Sequence, residues 1–163
     1  MGSLLREGLV AYWPMDGDLL NAYTDDVDDY HGMEDGGAIP FEPGKFGDAI
    51  SLDGTQSVII GGNENVFDFT AQSMSVSVWA TVSTIDTNWQ CLIAKGEGNG
   101  WRMHRRGGDV PPQMAFTGGN GDTPVHSTPI TIGGDPETWH HWVGVTASEP
   151  MTAYLYQDGV LLA

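Results

Sequence analysis

Residues 73–82, SMSVSVWATV, alternate without a break between small apolar side chains and other ones. A period of two sustained over this length predicts a β-strand whose two faces meet different surroundings. The mostly β-branched face suits packing against a second sheet, and we expect it to be the inner face: Met74, Val76, Val78, Ala80 and Val82. The opposite face is polar except for Trp79, whose indole is either covered by a neighbouring loop or offered to a ligand.

Shorter alternating stretches, separated by turn residues, continue this pattern along the chain. No helical period holds over any long window, and there is no repeat, linker or low-complexity segment. The sequence therefore predicts an all-β fold, an antiparallel β-sandwich forming a single domain over residues 1–163. Further strands are predicted at 8–13, in two short stretches of 41–62, and at 89–96, 101–106, 112–116, 129–132, 138–147, 152–157 and 160–162. Within 41–62, the alternation directs Ile50 and Leu52 toward the core.

Composition narrows the possible functions. Acidic residues number 22 against 6 basic ones, which gives a net charge of −16. Such a chain repels phosphate, so nucleic acid is excluded as a partner, whereas cation binding or a salty environment is compatible. The single cysteine excludes an intrachain disulfide and a cysteine-based metal cage. No apolar run reaches the ~18 residues of a membrane span, and no signal peptide is visible.

The acidic residues are concentrated near the start of the chain. Of the twenty residues 16–35, eight are acidic and none is lysine or arginine. Carboxylates at this density repel one another unless a cation lies among them or the loop stays solvated. The spacing does not match an EF-hand, because the glycine expected at its sixth position is absent. The segment is therefore either a solvated acidic loop or a calcium-bound loop.

Aromatic and basic residues concentrate in the middle of the chain. Residues 101–106, WRMHRR, hold three of the six basic residues, which either pair with the protein's own acids or bind an anionic group. Sugar rings stack on indoles and need polar partners for their hydroxyls. Candidate residues of both kinds are Trp89, Trp101, His104 and Arg106, with Trp79 as a third platform. The alternative is that these tryptophans pack in the core or under loops.

The sequence carries no recognisable catalytic pattern. Glycoside hydrolysis needs two carboxylates flanking one bond, but no predicted strand carries two acids on one face. No G-x-S-x-G nucleophile motif occurs. His140 and His141 are adjacent on a predicted strand, so they point to opposite faces and cannot jointly bind one metal. The sequence therefore predicts a protein that is not an enzyme.

Five segments resemble laminin G-like (concanavalin A-like) domains, in the order seen in that family. They are GLVAYWPMDG, GKFGDAISLDG at 44–54, SMSVSVWATV, the IAKG that precedes WRM, and TWHHWVGV followed by YLYQDG. The resemblance covers almost the whole chain. It implies a jelly-roll sandwich of two curved antiparallel sheets, in a module that is mostly extracellular, binds glycans or proteins and often carries calcium.

The resemblance also implies a calcium site and a continuation of the fold. Asp16 and the Asp53-Gly54 turn match positions that approach the metal in such domains, and the same oxygen chemistry could come from Asp18, Asn21 or Asp26. In the family, further strands and an acidic residue follow the segment that resembles YLYQDG, whereas this chain ends at Ala163. We therefore expect a truncated domain or one completed by another chain, with an open sheet edge available to a partner.

Three functions follow from these observations. The first is a non-catalytic glycan-binding module of a secreted or cell-surface protein, with a structural calcium ion. The second is a protein-binding adhesion or assembly module that forms homo- or hetero-oligomers through its open edge. The third is a structural accessory domain of a larger secreted enzyme.

Overall fold

The computed structural model describes residues 7–20, 30–61, 64–69, 72–82, 87–96, 100–108, 113–118, 125–126, 130–131, 138–148 and 151–163. The chain divides into two compact units, Met1–Phe67 and Asp68–Ala163. Nearly all regular structure in both units is β-strand, and every sheet is antiparallel. The predicted all-β class is therefore confirmed, whereas the single domain over 1–163 stays a prediction.

The first unit holds two small antiparallel sheets. Strand β1 (Gly32–Asp35) pairs with β4 (Ser57–Ile60), and β2 (Phe41–Pro43) pairs with β3 (Asp48–Ile50). The β2–β3 turn closes with a 2.8 Å hydrogen bond from the Gly44 N–H to the Gly47 carbonyl. A 3₁₀ helix, Glu64–Phe67, ends the unit.

The strand predicted at 8–13 is wrong, because the structure has no strand there. Gly8 and Met15 have φ angles of 76° and 58°, so backbone that is not extended bounds the stretch at both ends. Trp13 is instead held through its side chain. Its indole N–H donates to the Tyr30 carbonyl over 2.7 Å.

Two further details of this unit differ from expectation. Strand β1 lies inside the acidic segment that was expected to be loop throughout. Leu52 is 48% exposed and does not face the core. Strand β3 ends at Ile50, so the alternation that predicted an inward Leu52 no longer applies where the strand has stopped.

The second unit contains two larger antiparallel sheets. Their strands are β5 (Met74–Ala80), β6 (Cys91–Lys95), β7 (Trp101–Arg105), β8 (Gln113–Gly118), β9 (Val125–His126), β10 (Ile130–Thr131), β11 (His140–Ser148), β12 (Met151–Gln157) and β13 (Val160–Leu161). One sheet has the order β13-β12-β11-β5, and the other has the order β10-β8-β7-β6, with β9 also pairing with β8. Most strands predicted beyond residue 72 are thus confirmed.

The inner faces of these two sheets pack on one another and form the core. Phe116 of β8, Met103 of β7 and Leu155 of β12 are fully buried. A Cβ added to Gly144 of β11 would overlap the Phe116 ring, which shows that β8 and β11 face each other closely. The predicted fold, an antiparallel β-sandwich of the jelly-roll kind, is confirmed.

The inner face predicted for the central strand is also confirmed. Met74 is buried, Val76, Val78 and Ala80 are half-buried, and Ser75, Ser77 and Trp79 are exposed. The register pairs the inward residues of β5 with those of β11, including Val78 with Trp142 and Val76 with Gly144. Val82 lies beyond the end of the strand.

Residues 160–163 occupy part of the outer edge of β12. Tyr156 pairs with Leu161 and Gln157 with Val160. Backbone hydrogen bonds from Leu155 to Ala163 and from Leu162 to Leu155, at 2.8 and 2.9 Å, extend this contact. Among the described residues, no helix is long and apolar enough to cross a membrane.

Candidate functional site

Four tryptophans of the sandwich fall into an inward and an outward group, and a fifth, Trp139, is half-buried just before β11. Trp101 and Trp142 are 8% and 2% exposed, whereas Trp79 and Trp89 are 37% and 52% exposed. Of these four, the second pair offers an indole face to solvent. The candidate site is therefore built from Trp89, the more exposed of the two, and its neighbours.

Trp89 has an unusual backbone conformation. Its φ is 64°, within the left-handed region that glycine and asparagine normally occupy. It lies in a tight turn closed by the Gln90 N–H, which donates to the Thr87 carbonyl over 3.3 Å. A bulky residue in this region costs about 1–3 kcal/mol, and such strain clusters at functional sites.

The turn brings the Trp89 indole over the outer face of the β6–β7–β8 sheet. Its ring is 5.5 Å from that of His104, tilted by 35°. The guanidinium carbon of Arg102 is 5.1 Å from the Trp89 ring centroid, within cation–π range. A Cβ on Gly107 would be 3.5 Å from the indole, so this glycine lets the turn approach closely. The Trp89 indole is therefore supported on one side by His104 and is half exposed.

His104 supports this arrangement but is not itself accessible. It is 2% exposed, and its Nδ1 is 2.7 Å from the Arg105 carbonyl oxygen. A carbonyl only accepts, so Nδ1 donates, and in the neutral ring Nε2 accepts from the Thr117 hydroxyl, 3.0 Å away. Both ring nitrogens are therefore committed within the protein, and the prediction that His104 contacts a ligand needs correction. Alternation separates His104 from Trp101 and Met103 on β7 but does not show that Trp89 covers it.

Two other predicted ligand residues also occupy different surroundings. Trp101 is on the inner face of β7, where core packing hides its indole from any ligand. The basic cluster of 101–106 is not one surface, because Arg105 points inward and is 6% exposed. Arg106 is exposed just beyond β7, and its backbone N–H donates to the Gln113 carbonyl over 2.9 Å. Of the five predicted residues, Trp89 and His104 have their rings in contact.

Two residues next to Trp89 were missed as site residues. Arg102 shares the outer face of β7 with His104, so its alternation was the signal that could have identified it. Asn88 precedes Trp89, and its side chain lies against the backbone of Gly108, where a Cβ would be 3.0 Å from the amide oxygen. Nothing in the sequence pattern distinguished this asparagine. The site as built is Asn88, Trp89 and Arg102.

Trp79 belongs to a different surface. It lies directly opposite His141 in the β5–β11 register. The two rings are stacked at 4.9 Å with an interplanar angle of 17°. The His141 Nε2 is 2.7 Å from the Ser77 hydroxyl oxygen. This group lies on the outer face of the β13-β12-β11-β5 sheet, so it cannot belong to the same site as Trp89.

The residues predicted to bind calcium mostly hold turns. Asp16 Oδ1 accepts from the Asp48 N–H at 2.9 Å, and Asp18 Oδ1 accepts from the Leu20 N–H at 3.0 Å. Asp53 Oδ1 accepts from both the hydroxyl and the N–H of Thr55, at 2.7 and 2.8 Å.

These bonds have an electrostatic consequence at Asp53. The hydrogen bonds from Thr55 stabilise the carboxylate and lower the pKa of Asp53. Gly54 has a φ of 91°, which forms the turn that places Thr55. The Asp53-Gly54 turn predicted from the sequence is therefore present.

A calcium site does not assemble from the part of the chain that the structure describes. No three His, Cys, Asp or Glu side chains there are grouped closely enough to hold a metal ion. Asn21 and Asp26 lie outside the described residues. Asp16, Asp18 and Asp53, each with one oxygen bonded to a backbone N–H, do not by themselves supply the six to eight oxygen ligands that a calcium ion needs.

Comparison with known proteins gave one match. The family model of the concanavalin A-like lectin/glucanases superfamily, in its laminin G-like form, matches residues 52–163. The matched region contains the whole sandwich, with Trp79 and Trp89, but not Asp16 or Asp18. Searches of curated proteins and of solved structures gave no significant match.

Proposed function

We propose that this chain, which belongs to the concanavalin A-like lectin/glucanases superfamily, is a non-catalytic module that binds carbohydrate at Trp89. Membership in a superfamily rich in binding modules supports the general class. The observation that carries the specific proposal is the half-exposed Trp89 indole, held at a φ of 64°. A residue keeps such strain only where its surroundings enforce it, which makes Trp89 a functional candidate.

The neighbours of Trp89 supply the chemistry that a sugar requires. The C–H face of a pyranose would stack on the indole, as an amphipathic aromatic ring allows. Its hydroxyls need polar groups at the edge of the platform. The Arg102 guanidinium, 5.1 Å from the ring centroid, and the exposed Asn88 amide are placed to provide them. His104, buried beneath, would hold the ring plane and reduce the ordering cost of binding.

The test is affinity electrophoresis of the intact chain through gels containing laminarin, dextran, mannan, alginate or polygalacturonate. The wild type should be retarded by at least one of them. Trp89→Ala should weaken that binding roughly tenfold or more, since losing about 1.4 kcal/mol of stacking is a factor of ten. Phe46→Ala is the matched control, because Phe46 is an exposed aromatic outside the matched region. Equal retardation of wild type and Trp89→Ala would reject the site.

We also propose that the module binds a structural calcium ion and works outside the cell. Both proposals rest on superfamily membership and on charge. The acidic segment 16–35 favours a structural calcium ion, and such modules work mainly outside the cell. A bound ion stabilises the fold by RT ln(1 + [L]/Kd), about 2.7 kcal/mol at a hundredfold excess over Kd. The melting temperature should therefore fall when EDTA is added to protein prepared in calcium. An unchanged melting temperature removes calcium from the account.

Assembly through an open sheet edge is the weaker alternative. Residues 160–163 already line part of the edge of β12. The edge strand β6 carries a register shift between Cys91 and Ile93, a bulge of the kind that discourages strand addition. At these two edges, the observations favour a ligand on a sheet face over an added partner strand.

A further inference from the structure

We infer that the chain carries a second carbohydrate platform, formed by Trp79, His141 and Ser77, which takes an uncharged sugar. The inference rests on the proposed function, because it uses the same stacking chemistry at another place. It goes beyond that function in two ways. The module has two binding faces, and the second face takes only an uncharged ligand, unlike the Trp89 site.

The platform is built across two paired strands. Trp79 of β5 and His141 of β11 are direct cross-strand partners, and their rings stack at 4.9 Å and 17°. The Ser77 hydroxyl, two residues along the same face of β5, is 2.7 Å from His141 Nε2. The imidazole is thus held between an indole and a hydroxyl. It lies against one face of Trp79 and fixes the plane of an indole that is still 37% exposed. Such pre-organisation lowers the cost of ordering a binding surface.

The surroundings of this platform favour an uncharged ligand. The strand register places the other outward residues of β5, β11 and β12 on the same face: Ser75, Ser77, Val143, Val145, Ala147, Thr152, Tyr154 and Tyr156. None of these is charged, in a chain whose net charge is −16. The charged group bound to this platform is the carboxylate of Asp158, which accepts from the His141 N–H and would repel an anionic ligand. Serine, threonine and tyrosine hydroxyls both donate and accept hydrogen bonds, as sugar hydroxyls do. A carboxylate or sulfate on the ligand would find no cation among them to offset its desolvation.

The Trp89 site differs in charge and direction. It has the Arg102 guanidinium beside the indole, so an acidic or a neutral sugar suits it. The packing of Phe116 against Gly144 shows that the two sheets turn their inner faces to each other. Trp79 and Trp89 therefore face away from each other on the two sides of the sandwich. One sugar chain segment cannot stack on both, and a module with both platforms can bridge two polysaccharide chains.

The experiment combines affinity electrophoresis with turbidity measurements on mixtures of the intact protein with laminarin, dextran or mannan. With the wild type, at least one of these uncharged polysaccharides should retard the protein and become turbid through cross-linking. Trp79→Ala should weaken binding roughly tenfold and abolish turbidity, while Phe46→Ala should change neither. Trp79→Gln is a second variant whose polar side chain suits an exposed strand position, and it should behave like Trp79→Ala. Unfolding midpoints of all variants establish that each is folded.

The outcomes separate this inference from the proposed function. If folded Trp79→Gln binds and cross-links like wild type while Trp89→Ala loses binding, the second platform is rejected and the proposed function stands. If the Trp79 variants lose binding and Trp89→Ala does not, the platform is supported and the Trp89 site is rejected. If only polygalacturonate or alginate binds at the Trp79 face, the assignment of an uncharged ligand is rejected. If none of the five polysaccharides retards the wild type, both proposals are rejected.

Discussion

The inner and outer faces of the sandwich use tryptophan in opposite ways. Trp101 and Trp142 fill the space between the two sheets, at 8% and 2% exposure. Trp79 and Trp89 stand on the two outer faces, each lying against a histidine ring. Residue type is the same in both places, so strand register and turn geometry decide whether an indole stabilises the fold or meets solvent. We therefore expect the inner pair to stabilise the fold, and we propose that the outer pair binds ligand.

The largest effect that tests this division is expected at the centre of the inner face. Phe116 is fully buried and lies against Gly144. Because this glycine has no side chain, it could not fill the cavity that truncating Phe116 would leave. Phe116→Ala should lower the free energy of unfolding by about 3–5 kcal/mol, measured by urea denaturation. Ser75→Ala, an exposed change on the outer face of β5, is the control and should have little effect. A loss below about 1 kcal/mol for Phe116→Ala would mean that the two sheets are not packed as described.

A smaller change in the free energy of unfolding is expected on the outer face, at Trp89. Its φ of 64° suits asparagine better than tryptophan. Trp89→Asn removes the backbone strain along with the indole, so the free energy of unfolding should stay within about 1 kcal/mol of wild type. Trp89→Ala keeps the strain and should be the less stable of the two variants. If Trp89→Asn is instead destabilised as strongly as Phe116→Ala, covering His104 is the main role of Trp89, and the division between faces fails.

The smallest change in stability is expected at the start of β11, where His140 and His141 point to opposite faces of the strand. Asp158, at a φ of 52° in the β12–β13 turn, accepts from the His141 N–H at 2.9 Å and contacts His140 Nδ1 at 2.7 Å. The backbone bond from His141 and then the bond with His140 lower the pKa of the Asp158 carboxyl.

A lowered pKa in the folded state means that the charged carboxylate stabilises the fold. This contribution is complete above the ordinary pKa of an aspartate and is lost as pH falls through the lowered pKa of Asp158. Asp158→Asn keeps a residue suited to the turn and removes the charge. The stability advantage of wild type over Asp158→Asn, measured by urea denaturation, should be present at neutral pH and vanish in acid. A difference independent of pH would show that the charge contributes nothing.

The sequence alone was enough to predict which residues of β5 point inward and which point outward. The unbroken alternation of residues 73–82 identified the inner face of β5 and the outward Trp79. Alternation reports which side of a sheet a residue takes, because successive side chains point to opposite faces. It cannot report what lies over that side. His104 was therefore predicted to contact a ligand but is buried beneath Trp89, which reaches it from a turn about fifteen residues earlier in the chain.

Turn conformation was the other missing information. The left-handed backbone of Trp89 is not favoured by its own residue type, so no local preference could have predicted it. The same limit explains the wrong strand at 8–13, because its first residue, Gly8, and the nearby Met15 adopt positive φ. The calcium residues stay a prediction. The sequence did not show that Asp53 Oδ1 accepts hydrogen bonds from Thr55 of its own turn.

The most direct test of the division between faces is a nuclear magnetic resonance titration of the indole N–H groups. The chain has six tryptophans, and single Trp→Phe variants assign their signals. On titration with a polysaccharide that retards the protein, the signals of Trp89 and Trp79 should shift or broaden, while those of Trp101 and Trp142 stay fixed. Shifts confined to Trp101 and Trp142, or no indole shift at saturating polysaccharide, would contradict the account.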